Sequence, residues 1–412
     1  MQNSVRFKLS FLMFMEYFIW GAWYVTMGTY LFTNFDASAL QVGSSYANLS
    51  IAAIVSPFFV GLIADRYFAA EKVMGFLHLA GAATLYYIST VDVFNEFWWL
   101  ILLYTLLYMP TMALANSISF HQIKDGGKEF PLIRVFGTVG WIVAGLLIGF
   151  MGFENSVVTF QIASAASLLL GIFSFLLPKT PVKETVERKL SSILGLDALV
   201  LFKSSSFVIF FIASIAICIP LSFYYSFTNS FLNDIGMENT AGKMTLGQVS
   251  EFALMLLIPF MFRRLGVKNM IMIGIAAWIL RYLLFAYGNI GADLWMLYLG
   301  IVLHGICYDF FFVTGQIYTD QKAGESIKSA AQGLVTFATY GIGMLIGSYL
   351  SGMLTESFVA AHNSEFRYDW KMVWLVPCLI SGLILIAFGL FFKNRSVQKP
   401  KVQNEDVQYS IT

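Results

Sequence analysis

Again and again along this chain, a run of about twenty residues passes with almost no charge, long enough to cross a bilayer. Apolar runs fall near 9–32, 43–64, 72–91, 97–119, 132–152 and 156–177, then near 206–232, 244–262, 269–288, 294–318, 329–354 and 372–392. Within lipid every peptide group must find its partner in the protein itself, which leaves only helices or a closed barrel. As helices these runs rise about 1.5 Å per residue and match a hydrocarbon core roughly 30 Å thick. The pattern predicts an all-α membrane protein with twelve transmembrane helices, called the first to twelfth segments below.

Composition points the same way. The 412 residues are 58% hydrophobic and 12% charged, against about a quarter charged in soluble domains. The three cysteines and four histidines are scattered, without metal-ligand spacing, so neither a metal nor a cofactor is expected. The first run is too long for a signal-peptide core and has no small-residue cleavage site, so no cleaved leader is expected. The surrounding partner is the lipid bilayer, no nucleic-acid partner is expected, and the chain is expected to be a monomer.

Lys and Arg set the expected orientation. With the N-terminus in the cytoplasm, Arg6, Lys8, Arg66, Lys72, Lys124, Lys128, the basic residues of 179–203, Arg263, Arg264, Lys268, Lys322, Lys328 and the basic tail lie inside. Only Lys243, Arg367 and Lys371 fall outside, which satisfies the positive-inside rule with both termini cytoplasmic. The longest polar break, "PKTPVKETVERKLSSILGLD" (178–197), divides the chain. The expected organisation is a six-helix half over 1–178, a cytoplasmic linker over 179–205, a second half over 206–393 and a tail over 394–412.

The halves echo each other. "GLIADRYFAAEKV" (61–73) follows the second segment and "MFRRLGVKNMI" (261–271) follows the eighth, each a short basic turn. Parallel six-helix repeats characterise the major facilitator fold, whose substrate site lies between the halves near the midplane. The first string resembles that superfamily's loop signature at Gly61, Asp65, Arg66 and Lys72, with Phe68 where a second glycine is usual. The resemblance implies a conformational gate at Gly61, Asp65 and Arg66.

Polar groups inside apolar segments should face the bundle interior. Arg134, Thr138 and Trp141 recur at helical spacing along one face of the fifth segment, and Gln248 and Glu251 share a face of the eighth. In "HGICYDFFFVTG" (304–315), Asp309 is the one carboxylate, beside Tyr308 and on a stripe with Gln316. Glu16 lies in the first segment and Arg281 in the ninth. A carboxyl that alternates between wet and dry surroundings takes up and gives off a proton, and linkage couples that proton to substrate. Asp309, Glu251 and Glu16 are the candidate proton-coupling groups.

"FIWGAWYVTMGTYLF" (18–32), "YMPTMALANSISF" (108–120), "FPLIRVFGTVGWI" (130–142), "ILGLDALVLFK" (193–203), "AAWILRYLLFAYG" (276–288) and "AAQGLVTFATYGIG" (330–343) resemble the nucleoside:proton symporter family, a bacterial branch of the major facilitator superfamily. The resemblance runs nearly end to end. It implies a multi-pass permease of the bacterial inner membrane that imports nucleosides with protons. It also implies a substrate site at Arg134, Thr138, Trp141, Gln248, Glu251 and Tyr308, with Asp309 beside it. Glu, Gln and Arg can hydrogen-bond ribose and base edges, and aromatic rings can stack on the base. Ser222 and Tyr225 stand where better-known members carry Gln and Asn, Glu16 where they carry Gln, and His304 where they carry Tyr. Those replacements put the choice of nucleoside in question, and Ser222 and Tyr225 join the candidate substrate contacts.

Two other readings belong beside this one. A sugar or glycoside symporter of the same fold would need the same architecture, and a nutrient sensor could keep the fold without transport. A membrane enzyme would need a nucleophile–base pair, a metal cluster or a cofactor motif, and the sequence contains none of the recognised ones.

Overall fold

The computed structural model describes residues 2–59, 68–123, 126–180, 196–361 and 366–393. Gly61, Asp65 and Arg66 lie outside the described residues. Helices account for nearly everything else, and the described residues contain no sheet, only an isolated bridge between Val359 and Tyr368.

The first segment is two helices, α1 (Asn3–Trp23) and α2 (Met27–Phe35), broken by a turn at 24–26. Then follow α3 (Ala39–Phe59), α4 (Ala70–Ile88), α5 (Phe94–Gln122), α6 (Gly126–Phe150) and α7 (Val158–Ser174). A short 3-10 stretch, Leu196–Lys203, leads into α8 (Ser205–Asp234) and α9 (Thr240–Met255). Next comes α10 (Ile258–Tyr287), in which the end of the eighth segment and the whole ninth run together. The tenth segment is assembled from α11 (Leu294–Val302), α12 (His304–Tyr308), a π-helical turn (Asp309–Val313) and the start of α13 (Thr314–Thr336). The eleventh continues from α13 through a second π-helical turn (Phe337–Gly343) into α14 (Met344–Glu356), and α15 (Trp370–Phe391) is the twelfth. Seven of these stretches are long and apolar enough, taken singly, to cross a membrane. Of the others, α7 is shorter, at 17 residues, and α1 is long enough but carries three charged residues, Arg6, Lys8 and Glu16.

Two of the joins depend on glycine. Gly266 (φ 68, ψ 170) and Gly324 (φ 64, ψ −179) turn the chain between the eighth and ninth and between the tenth and eleventh segments. That corner of backbone space is essentially closed to residues with a Cβ. The helices on either side therefore meet without a loop, where the sequence predicted polar connections of several residues.

Within the first half α1 packs on α6 and α7, and α4 packs on α5 and α7; within the second, α10 packs on α15 and α8 on α14 and α15. Among the described residues the halves meet chiefly where α2 packs on α8, α3 on α14 and the π-helical turn before it, and α6 on α9. Small residues bring the backbones together there, as expected where no hydrophobic drive separates helix from lipid. A Cβ on Gly28 would sit 2.5 Å from the Ser226 carbonyl, and one on Gly145 would sit 2.7 Å from the Thr245 methyl. Gly43 faces the Ser348 carbonyl and Gly352, while Gly149 faces Gly242 and Asn239.

These contacts lie at the end of the bundle away from the N-terminus, here the far end. Hydrogen bonds reinforce them. Thr29 donates to Asn229 Oδ1 at 2.6 Å, and the Ala39 amide donates to Glu356 at 2.6 Å. Arg367 donates to Asp36 at 2.8 Å across the same gap. Glu154, buried in the turn after α6, accepts from the side-chain amides of Asn229 (2.9 Å) and Asn233 (2.8 Å) and from the Ala241 amide (2.9 Å). Ala241 is in the first turn of α9, where free N–H groups and the helix dipole favour an anion.

Candidate functional site

The middle of the bundle gathers most of the residues singled out in the sequence. The half-buried Arg134 of α6 lays its guanidinium 4.0 Å over the Tyr17 ring of α1. From the other half, Glu251 of α9 lies close enough for Arg134 to act on it electrostatically, and Tyr17 feels both charges. A basic group from one half and an acidic group from the other thus face the same space.

Aromatic rings line that space further toward the far end. Trp141 meets Trp20 edge to face at 5.3 Å, and Tyr24 meets Tyr225 at 5.6 Å across the two halves. The Tyr308 and Tyr340 hydroxyls are hydrogen-bonded at 2.7 Å, joining the tenth and eleventh segments. Tyr340 lies inside one π-helical turn and Tyr308 immediately precedes the other. π-turns inside α-helices recur at functional sites because they re-aim side chains that a regular helix would hide. The Trp20 indole N–H is buried without a hydrogen-bond partner among the described residues, a donor available to a guest.

Trp141, Tyr225 and Gln248 line one small cavity together with Val25, Gly145 and Met244. Its volume is about 10 Å³, room for roughly one water molecule. The inter-half space is therefore drawn shut around these groups in this conformation. The larger concavity, about 500 Å³, is an apolar groove bounded by Arg6, Phe7, Phe14 and Phe136, and none of the candidate residues lies in it.

Asp309 opens the π-turn of the tenth segment and is fully buried. Neither of its carboxyl oxygens has a hydrogen-bond partner among the described residues. A bare carboxylate in such surroundings costs several kcal/mol, a cost removed by taking up a proton. Glu251 is the ionisable neighbour that Asp309 feels. Gly274 of α10 lets this turn pack closely, since a Cβ there would approach the Phe311 amide to 3.0 Å.

Two expected site residues are placed elsewhere. Ser222 is buried and donates to the Cys218 carbonyl at 2.8 Å, facing Met344 and Gly347 of the eleventh segment rather than the aromatic space. Glu16 is buried wholly within the first half. Its Oε1 accepts from Thr111 at 2.5 Å, and its Oε2 lies 2.9 Å from His78 Nε2. Ser167 donates to the His78 carbonyl at 2.9 Å and so receives the Nδ1 proton at 3.1 Å. That leaves a single proton between the imidazole Nε2 and the carboxyl, held in a closed network of four segments. Thr138 remains half-buried on the Arg134 face.

Sequence reasoning passed over Tyr17, Tyr340 and Glu154. Tyr17 was legible only as the neighbour of Glu16, and Tyr340 as one ring in a glycine-rich stretch. Glu154 looked like an ordinary acidic residue of a short outer loop.

Comparison with known proteins shows the family. The family model described as nucleoside H+ symporter matches residues 3–397. The putative nucleoside transporter YegT of Escherichia coli K12 is 41% identical over 98% of this chain and 98% of its own length. The xanthosine permease of the same organism is 35% identical, covering 97% of this chain and 98% of its own. The crystal structure of the nucleoside transporter NupG superposes with a TM-score of 0.87 at 33% identity, covering 95% of this chain and all of that one. The fold is the major facilitator fold, and the chain is a multi-pass membrane transporter rather than an enzyme. It belongs to the nucleoside–proton symporter family.

Proposed function

We propose that this symporter imports nucleosides with protons across the bacterial inner membrane by alternating access, with both termini in the cytoplasm. The observation that carries the reading is the meeting of Arg134 and Glu251 from opposite halves beside a box of aromatic rings. A nucleoside has a flat base for Trp141, Tyr225 and Tyr308, and hydroxyls and edges for Arg134, Thr138, Gln248 and Glu251. It binds between the halves, so the halves must part to admit it. Asp309 and Glu251 carry the proton: dry, Asp309 keeps it; wetted by the opened cavity, it gives it up. The buried position of Ser222 supports a base held by stacking more than by edge hydrogen bonds.

In this orientation the far end faces the periplasm, and Glu154, Asp36 and Glu356 close it. The gate residues Gly61, Asp65 and Arg66 act at the cytoplasmic end, and the units that move are residues 1–178 and 206–393, working as a monomer. Counterflow in proteoliposomes with a panel of nucleosides and sugars tests the assignment. Exchange of nucleosides and not of sugars is expected; exchange of sugars alone would replace the reading with a glycoside symporter, and no exchange of either would favour a sensor.

A further inference from the structure

Arg281 of α10 is completely buried, and its Nε and Nη2 have no hydrogen-bond partner among the described residues. Its guanidinium rests 3.4 Å over the Tyr224 ring, and Nη1 donates to His304 Nδ1 at 3.2 Å. The other imidazole nitrogen, Nε2, lies 3.7 Å from Glu251 Oε2. The His304 ring is itself buried, stacked on Tyr224 with ring centres 5.1 Å apart at 22°.

Elementary hydrogen-bond chemistry fixes the proton on this ring. A guanidinium only donates, so Nδ1 must keep its lone pair, and the imidazole proton is on Nε2. That N–H is on the nitrogen 3.7 Å from the Glu251 carboxyl. The register is pinned from behind by Ser250, which donates to the Val302 carbonyl at 2.6 Å and accepts from the Gly305 amide at 3.1 Å, bracketing the break before α12.

We propose that His304 is a positioning residue that relays the charge of Arg281 to Glu251, holding the carboxylate once its proton has left. Resting on the role given to Glu251 above, this assigns a task to the buried guanidinium of Arg281, which neither lines the Trp141–Tyr225–Gln248 cavity nor pairs with an acid directly, and to the imidazole between it and Glu251. When Glu251 ionises, the 3.7 Å separation closes to a charge-assisted hydrogen bond, and the buried guanidinium gains a counter-charge one ring away. The groups that share the Glu251 field are Tyr17 and Arg134 from the first half, Tyr224 and Tyr225 of α8, Tyr308 and Asp309 of the tenth segment, and Tyr340 of the eleventh. Of these only Arg134 is a cation, so His304 is the second route by which positive charge reaches Glu251.

Two amide replacements separate the two ends of the relay. In His304→Gln the amide N–H reaches where Nε2 stands and still serves Glu251. In His304→Asn the carbonyl stands where Nδ1 stands and still serves Arg281, but nothing reaches Glu251. The measurement is nucleoside binding by purified protein across pH 5–9, with His304→Tyr as a third variant. The expected result is a binding midpoint in His304→Asn moved to higher pH by about one unit, tenfold in proton affinity, and a His304→Gln midpoint at the wild-type value. A structural role would lower affinity or folded yield in both without moving the midpoint. Equal midpoints in all variants, or equal shifts in Gln and Asn, would overturn the proposal. Imidazole ¹⁵N resonances of the wild type, with His304→Gln to assign the His304 pair, give an arm independent of substrate. A Nδ1–H or doubly protonated His304 refutes the relay even if nucleosides bind. A Nε2–H ring in a protein that binds no nucleoside would instead refute the substrate assignment and leave the relay standing.

Discussion

Removing the Glu154 carboxylate should open the far end. In the described conformation this side chain accepts three hydrogen bonds from the opposite half, from Asn229 at 2.9 Å, Asn233 at 2.8 Å and the Ala241 amide at 2.9 Å. All three are charge-assisted, and one lies at a helix N-terminus. Each such bond contributes about 1.5–3 kcal/mol when buried, but with the far end open both carboxylate and donors are hydrated. The net loss on Glu154→Ala is therefore ~2–4 kcal/mol, or roughly 30- to 1,000-fold in the ratio of far-closed to far-open protein. Glu154→Gln keeps one acceptor without the charge and should lose about half as much. Spin labels at Asp92 and Asn289, exposed residues of far-end turns in opposite halves, read the ratio directly by pulsed dipolar spectroscopy. A longer-distance population should grow from wild type through Gln to Ala. An unchanged distance distribution in Glu154→Ala, with the protein folded, would refute the argument that this latch holds the end shut.

Gln248→Ala should weaken nucleoside binding by roughly 1–3 kcal/mol, the loss of one buried hydrogen-bonding partner, while leaving thermal stability unchanged; equal affinity in a calorimetric titration would count against its place in the site. Glu16→Gln should fold and transport like wild type, because an amide N–H can donate to His78 Nε2, whereas Glu16→Ala should cost about 2–4 kcal/mol of stability by stranding His78 and Thr111. Loss of proton-driven uptake in a well-folded Glu16→Gln would show that the proton travels through the first half. Competition among nucleosides should be loose or biased toward the larger purine bases, as stacking dictates; a sharp preference for one pyrimidine nucleoside would mean that edge hydrogen bonds select the base.

The hydropathy pattern made the segments legible because lipid leaves the backbone no choice but internal hydrogen bonds. It did not reveal the break at 24–26, the joins through Gly266 and Gly324, or the π-turns at Asp309 and Phe337, which depend on a few dihedrals and not on apolarity. The site was legible to the extent that a polar residue in an apolar run has one physical reason to be there. Arg134, Glu251 and Asp309 were singled out that way, and the structure places all three in the middle of the bundle. Glu16 obeyed the same rule, yet its partner His78 lies 62 residues away in the chain, so a closed network could not be told from a functional carboxyl. Ser222 was chosen by position in a motif, and the helix rotation that turns it toward Met344 is invisible to spacing alone. Glu154 went unnoticed because a loop carboxylate gives no local sign that three donors of the other half converge on it.

On the proposed mechanism the buried Asp309, without a hydrogen-bond partner among the described residues, couples substrate movement to the proton gradient. The direct measurement is nucleoside uptake into proteoliposomes with an imposed pH gradient, made beside counterflow without one, for wild type and Asp309→Asn. An amide mimics the protonated acid in shape and hydrogen bonding, so counterflow should persist in the variant while accumulation against the nucleoside gradient is lost. Accumulation by Asp309→Asn at the wild-type level would contradict the claim.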